Sequence, residues 1–189
     1  GFLRRNFGEV SNDYDEFAFV GSYRQGITNR FTAGGRIDAS TDVQLLAGSA
    51  DWQIGGAGIV SAGLGASFSE PGTGAAWLLG YDFRDTDYRL NARVTGTSER
   101  FALMDSDLTS ELPELQYSVS AGWDRNLPGS ISATIVHQAY RESEDRTIYT
   151  VGYSQSVAPG FFVSAYTGYS VASESDFMFG LSMNRAFGG

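Results

Sequence analysis

The chain has 189 residues, of which 42% are hydrophobic and 14% aromatic, with 24 glycines, four prolines and no cysteine. Its formal net charge is −9 and its 13 basic residues are all arginine, which argues against nucleic-acid binding, because phosphate neutralisation needs a basic surface. The lack of cysteine excludes disulfides and thiolate metal sites, and no run of about 20 apolar residues offers a transmembrane helix.

Residues 17–39 predict an antiparallel β-hairpin, preceded by a strand-like stub at 1–7 and a polar loop through Glu16. In the first arm, FAFVGSYR, aromatic residues alternate with small or polar ones, and after QGITNR the second arm, FTAGGRIDA, alternates again. Side chains of a strand point alternately to its two faces, so each arm has an apolar side and a small or charged side.

The same alternation continues along the chain in segments separated by short polar or glycine-rich turns. The remaining predicted strands are 43–53, 58–69, 75–84, 88–97, 115–124, 130–140, 147–157, 160–172 and 177–187. About twelve strands joined by short turns predict an all-β antiparallel meander. The longest connection, 98–114, is predicted to face the cell exterior, because membrane barrels keep their long loops on that side.

Strand length and aromatic placement favour a membrane barrel over a soluble β-sandwich. Strands of about ten residues, tilted by about 40°, span roughly 25 Å, which matches an outer-membrane apolar band, whereas ordinary strands have about five or six residues. Aromatic residues cluster near strand ends, as in interfacial girdles: Phe17, Tyr23, Phe31, Trp52, Trp77, Tyr88, Trp123, Phe161, Tyr169, Phe177 and Phe187. The predicted fold is therefore an antiparallel transmembrane β-barrel segment, with a soluble sandwich adhesin as the alternative.

The amino-acid sequence of the opening hairpin resembles that of a known protein family. GSYRQGITNRFT at 21–32, preceded by RNFG at 5–8 and by Ser11 and Tyr14, resembles the outer-membrane usher family, the assembly pores of chaperone–usher pili. GYDFR at 80–84 and TSERFALM at 97–104 are similar to sequences that members of this family have at comparable positions. The specific part of the resemblance is the first forty residues.

The resemblance implies that residues 1–189 form a single segment of the usher barrel after the plug, without a soluble N-terminal, plug or C-terminal domain. It implies a non-enzymatic pore of the bacterial outer membrane that assembles and secretes pilus subunits, with the energy coming from subunit folding and strand exchange. The implied partners are chaperone–subunit complexes, outer-membrane lipid, and the plug and remaining strands of the usher. The alternative function is a complete small outer-membrane porin or barrel enzyme.

Charged residues within the predicted strands are the candidate binding residues. A charge that faces lipid near the midplane costs about 2–4 kcal/mol, so these side chains are expected to line a watery lumen. They could contact a plug or a pilus subunit in transit, or they could pair with one another and only keep the wall polar. The candidates are Arg24, Arg36, Asp38, Arg89, Arg93 and Asp124.

The sequence offers no catalytic, metal or cofactor site. His137 is the only histidine, and strand spacing does not establish a nucleophile beside it. The glycine pairs lack the lysine and following helix of a phosphate loop, and the acidic turns lack the ligand spacing of a calcium loop. We expect turn glycines, solvated loop charges and a surface or lumen histidine.

Overall fold

The computed structural model describes residues 2–4, 14–70, 72–104, 111–124, 128–173 and 175–185. Eleven strands form one antiparallel sheet in which every strand pairs with its sequence neighbours. They are β3 Phe19–Thr28, β4 Phe31–Ala39, β5 Val43–Gln53, β6 Ile59–Ser69, β7 Gly72–Arg84, β8 Tyr88–Thr97, β9 Leu115–Trp123, β10 Gly129–Ala139, β11 Arg146–Ala158, β12 Phe161–Val171 and β13 Asp176–Arg185. The predicted meander is confirmed.

Two short strands, β1 Phe2–Arg4 and β2 Tyr14–Phe17, pair in a separate sheet. The prediction of a polar loop through Glu16 is therefore wrong in its last part, where β2 begins. The only other element in the described ranges is a short 3-10 turn, Gly55–Ala57. No helix of the described chain is long and apolar enough to cross a membrane.

The opening hairpin has the predicted faces but a tighter turn. Phe19 lies opposite Ala39 and Tyr23 opposite Gly35, as alternation requires. Strand β3 continues to Thr28, so the turn is shorter than the expected QGITNR, and a register shift between Gly26 and Thr28 absorbs the difference. A bulge of this kind adds one residue to a strand, which periodicity alone does not reveal.

The sheet has two chemically different faces, since paired residues of adjacent strands point the same way. We call one the apolar face; its large side chains are exposed, among them Tyr23, Leu64, Leu79, Val119 and Phe179. We call the other the polar face, which carries mostly Gly, Ser, Thr and charged residues. The order of register pairs places all six candidate charged residues on the polar face or at its edge.

The sheet is open and has little core. Strands β3 and β13 are its two edges and do not pair with each other. Its accessible surface is 12963 Å², whereas a compact monomer of this mass would expose about 8,800 Å². Among the described residues, the buried apolar ones are Val43, Leu45 and Ala102. The sandwich alternative is therefore wrong, because the described residues include no second sheet that covers the apolar face.

Connections at the two ends of the sheet differ in length. The loop end carries the connections 40–42, 70–71, 98–114, 140–145 and 172–175; the short-turn end carries 29–30, 54–58, 85–87, 124–128 and 159–160. The long connection is thus at the loop end, as the meander requires. Its orientation toward the cell exterior stays a prediction.

Candidate functional site

Two arginines of the opening hairpin pair with carboxylates on the polar face. The Arg24 guanidinium lies 2.6 Å from Asp51 of β5, two strands away. Arg36 Nε donates to both carboxylate oxygens of Asp38, at 2.8 and 2.9 Å. Asp38 is nearly buried, with 5% of its surface exposed, so Arg36 supplies hydrogen bonds that water can hardly provide at this carboxylate.

A third pair lies at the short-turn end. Arg89 of β8 donates to both oxygens of Asp124, which follows β9, at 3.1 and 3.2 Å. Both side chains are partly exposed, so the pair contributes at most about 1 kcal/mol to stability. Arg93, four residues farther along β8, is exposed and forms no ion pair within the described ranges.

Asp51 is a polar-face carboxylate that is not among the six candidate residues. It also accepts a hydrogen bond of 2.6 Å from the Ser61 hydroxyl, and it lines a polar groove of about 290 Å³ with Arg24, Arg30 and Asp82. Its position on the polar face could have been predicted, because Asp51 is adjacent in the strand to Trp52, which is exposed on the apolar face, and adjacent residues point to opposite faces. Its pairing with Arg24 follows from the register of three strands, which no local pattern encodes.

The described start of the long connection, 98–104, folds over the polar face. The Ala102 amide donates to the Ser67 hydroxyl at 2.9 Å, and Ser67 is fully buried. The backbone at Phe101 lies so close to Gly74 that a Cβ there would be 2.2 Å from it. Phe101, Leu103 and Met104 of this segment line an apolar cavity of about 510 Å³ together with Leu45. Leu45, Val43 and Ala102 of the segment are the buried apolar residues of the described chain.

The described end of the same connection is held by the neighbouring turn. Glu111 accepts the amides of Arg141 and Glu142 on one oxygen, at 2.7 and 2.9 Å. Its other oxygen accepts the amide and hydroxyl of Ser143, at 3.1 and 2.6 Å. The Ser143 hydroxyl, followed by the Glu142 amide, lowers the pKa of Glu111 to about 2. In addition, the Arg141 guanidinium donates to the Thr97 carbonyl, which joins this turn to the end of β8.

We expect the clasp between Glu111 and the 140–145 turn to open in acid. Since its pKa falls from 4.5 in the unfolded chain to about 2, the stabilisation is full above about pH 4.5 and is lost as the pH falls toward 2. A nitroxide on E144C in the full-length protein should become mobile across that window, as read by electron paramagnetic resonance. The E111Q variant should be mobile at every pH, whereas a label on S175C should not respond. Equal pH responses with and without E111Q would contradict the clasp.

His137 lies on the apolar face. Its Nδ1 is 2.8 Å from the Thr147 hydroxyl, and its ring stacks on Tyr117 with centroids 4.9 Å apart. Serines of the same strand point to the opposite face, so Ser130 and Ser132 cannot share a site with this imidazole. The register of β10 with β9 and β11 thus places His137 on the apolar face and Ser130 and Ser132 on the polar face.

Comparison with known proteins gives a fold. No family model and no curated protein matches the chain. The chain is similar to the translocation pore of the P pilus usher PapC, with a TM-score of 0.69 and 20% identity over 90% of this chain and 39% of that one. It is also similar to PapC in the E. coli tip assembly intermediate PapC–PapD–PapK–PapG, with a TM-score of 0.73 and 19% identity over 90% of this chain and 24% of that one. The chain thus has the fold of part of a PapC pore and spans well under half of either neighbour.

Proposed function

We propose that this chain is part of the wall of an outer-membrane usher pore, which assembles and secretes pilus subunits delivered by a periplasmic chaperone. The observation that carries the proposal is the match of this open sheet to the PapC pore over 90% of the chain. The sheet has one apolar face and one polar face, as the wall of a membrane pore requires. The strands are long enough to span an apolar band of about 25 Å when tilted. An open sheet favours a segment of a larger barrel over a complete small porin or barrel enzyme.

The chemistry of the two faces supports a proposal for the partners of this wall. Exposed Leu, Val, Phe and Tyr side chains would be costly to leave in water, and they are the chemistry that contacts lipid in membrane barrels. Within the described sheet β3 and β13 are the edge strands, and edge strands are where the remaining strands of the barrel would pair. The polar face contacts a plug and the pilus subunits in transit, and the wall acts without a cofactor or catalytic residue.

The function is tested in the host cell by deleting the gene and restoring it. Deletion should abolish surface pili and leave chaperone-bound subunits in the periplasm, and the restored full-length protein should fractionate with the outer membrane. Normal piliation in the deleted strain would refute the assignment.

The facing of the wall is tested separately with single cysteines, for which the cysteine-free chain is suited. R93C in the full-length protein should react with a water-soluble maleimide, because Arg93 lies on the polar face. V94C, one residue along β8, should be shielded by lipid and react only after detergent is added. The reverse pattern would mean that the polar face contacts lipid.

A further inference from the structure

The arginines of the polar face fall into two groups. Arg24, Arg36 and Arg89 each have a carboxylate of the same wall within 3.1 Å, so their charges are already balanced. Arg93 forms no ion pair within the described chain. Arg84 is also without one there, but it ends β7 at the short-turn rim. Arg146, at the start of β11, also has none there and donates to Ser170 instead. Among the described arginines of the polar face, Arg93 is therefore the one away from both rims that has no carboxylate partner.

The surroundings of Arg93 leave its guanidinium accessible. It lies near the centre of β8, Tyr88–Thr97, and is exposed. Its cross-strand neighbours are Gly80 on one side and Ser118 on the other, which are too small to cover it. The nearby carboxylate of Asp82 accepts a hydrogen bond of 3.2 Å from Asn91 instead. The long cationic side chain of Arg93 is thus surrounded by small residues and remains accessible to a partner.

The chemistry of this position selects an anionic partner. A guanidinium offers five donors in a planar fork that fits a carboxylate with two parallel hydrogen bonds. Within the wall, one nitrogen of Arg36 and one nitrogen of Arg89 each donate to both oxygens of a carboxylate, those of Asp38 and Asp124. The guanidinium of Arg93 has no such partner in the described wall, so it can form an ion pair with a carboxylate of a molecule that passes through the pore.

We propose that Arg93 binds a surface carboxylate of the pilus subunit that occupies the pore, as a contact point between the wall and its cargo. The inference rests on the proposed function, and it names the residue and the chemical group through which the wall contacts the subunit. Each passing subunit with an acidic side chain at the right height forms an ion pair with Arg93 and then releases it. Water in the passage keeps this pair weak and reversible.

The test uses the absence of lysine from the chain. R93K in the full-length protein places one side-chain amine in residues 1–189, so a zero-length carbodiimide link that uses a side-chain amine of that range can come only from position 93. In cells that supply chaperone–subunit complexes, we expect an amide link from position 93 to an aspartate or glutamate of a subunit, identified by mass spectrometry. The link should be lost when subunits are withheld.

Three matched variants control the experiment. R24K and R36K should couple to Asp51 and Asp38, which shows that the reagent reaches the polar face, and R84K gives the yield for a rim cation without an assigned contact. A link from position 93 to Asp82 or to another part of the same protein, or a subunit yield no higher than that of R84K, would overturn the inference. In either case R93K cells that still form pili would leave the proposed function standing, whereas normal pili after gene deletion would remove it.

Discussion

Replacing Leu64 by arginine should destabilise the folded protein in lipid by about 2–4 kcal/mol, the cost of placing a charge near the midplane of a barrel's lipid face. Leu64 is 73% exposed on the apolar face and lies at the centre of β6, Ile59–Ser69. It is thus as far from either rim as a side chain of this strand can be, which limits the escape of the guanidinium to the interface. The measurement is urea unfolding of the full-length protein in lipid vesicles.

The matched control for Leu64 is Ser49→Arg. Ser49 is next to Gly48, the cross-strand partner of Leu64, so the two positions have the same depth but opposite faces. Because the proposed pore places the polar face in a water-filled lumen, S49R should change stability by less than about 0.5 kcal/mol. In a water-soluble protein, L64R would be as harmless as S49R, since it would only replace an exposed apolar side chain. Equal stabilities of the two variants would therefore contradict both the membrane location and the assignment of faces.

The division of the sheet into faces could be predicted because it is local. Strand side chains have a period of two, so a stretch such as 115–124 reveals its own faces without knowledge of its neighbours. The pairing of Arg36 with Asp38 follows from the same rule, since residues two apart in one strand share a face. The candidate residues were found by this rule, although their contact with a plug or subunit stays a proposal.

The contacts that cross several strands could not be predicted in the same way. The pair of Arg24 and Asp51 depends on the register of β3, β4 and β5, and a bulge near Gly26 alters that register. The clasp of Glu111 depends on three amides of a turn about thirty residues later. Such a turn shows in the sequence only as the polar run RESED at 141–145, which predicts no more than solvated charge. Backbone donors have no sequence signature.

The inward fold of 98–104 depends on a glycine whose role composition cannot show. Glycine is abundant in the chain, and Gly74 and Gly80 are both polar-face residues of β7. At Gly80 an added Cβ would meet Ser61 at an ordinary 3.4 Å, whereas at Gly74 it would meet the Phe101 backbone at 2.2 Å. Only the structure shows that Gly74 is in close contact with the backbone of another segment, whereas Gly80 is not.

Replacing Gly74 by alanine should therefore expel the 98–104 segment from the polar face. Backbone atoms cannot move aside as a flexible side chain does, so the segment must lift, exposing Val43 and Leu45 and leaving the Ala102 amide without its bond to Ser67. Overpacking of this kind costs about 1–3 kcal/mol. The expected result is a lower urea midpoint and new tryptic cleavage after Arg100. Gly80→Ala should instead be neutral or stabilise by up to about 1 kcal/mol, because it restricts only the unfolded chain.

A double-mutant cycle then decides whether the segment is what G74A displaces. Ser67→Ala alone removes the acceptor of the Ala102 amide and should cost about 1–3 kcal/mol, because a buried donor loses its partner. If G74A has already lifted the segment, adding S67A should cost almost nothing more, and the two effects will be far from additive. Fully additive costs, with no cleavage after Arg100 in G74A, would show that the segment stays in place and that strand β7 itself yields. Since the 98–104 segment lies over the polar face, the coupling free energy from this cycle also measures how strongly that segment is bound to the sheet.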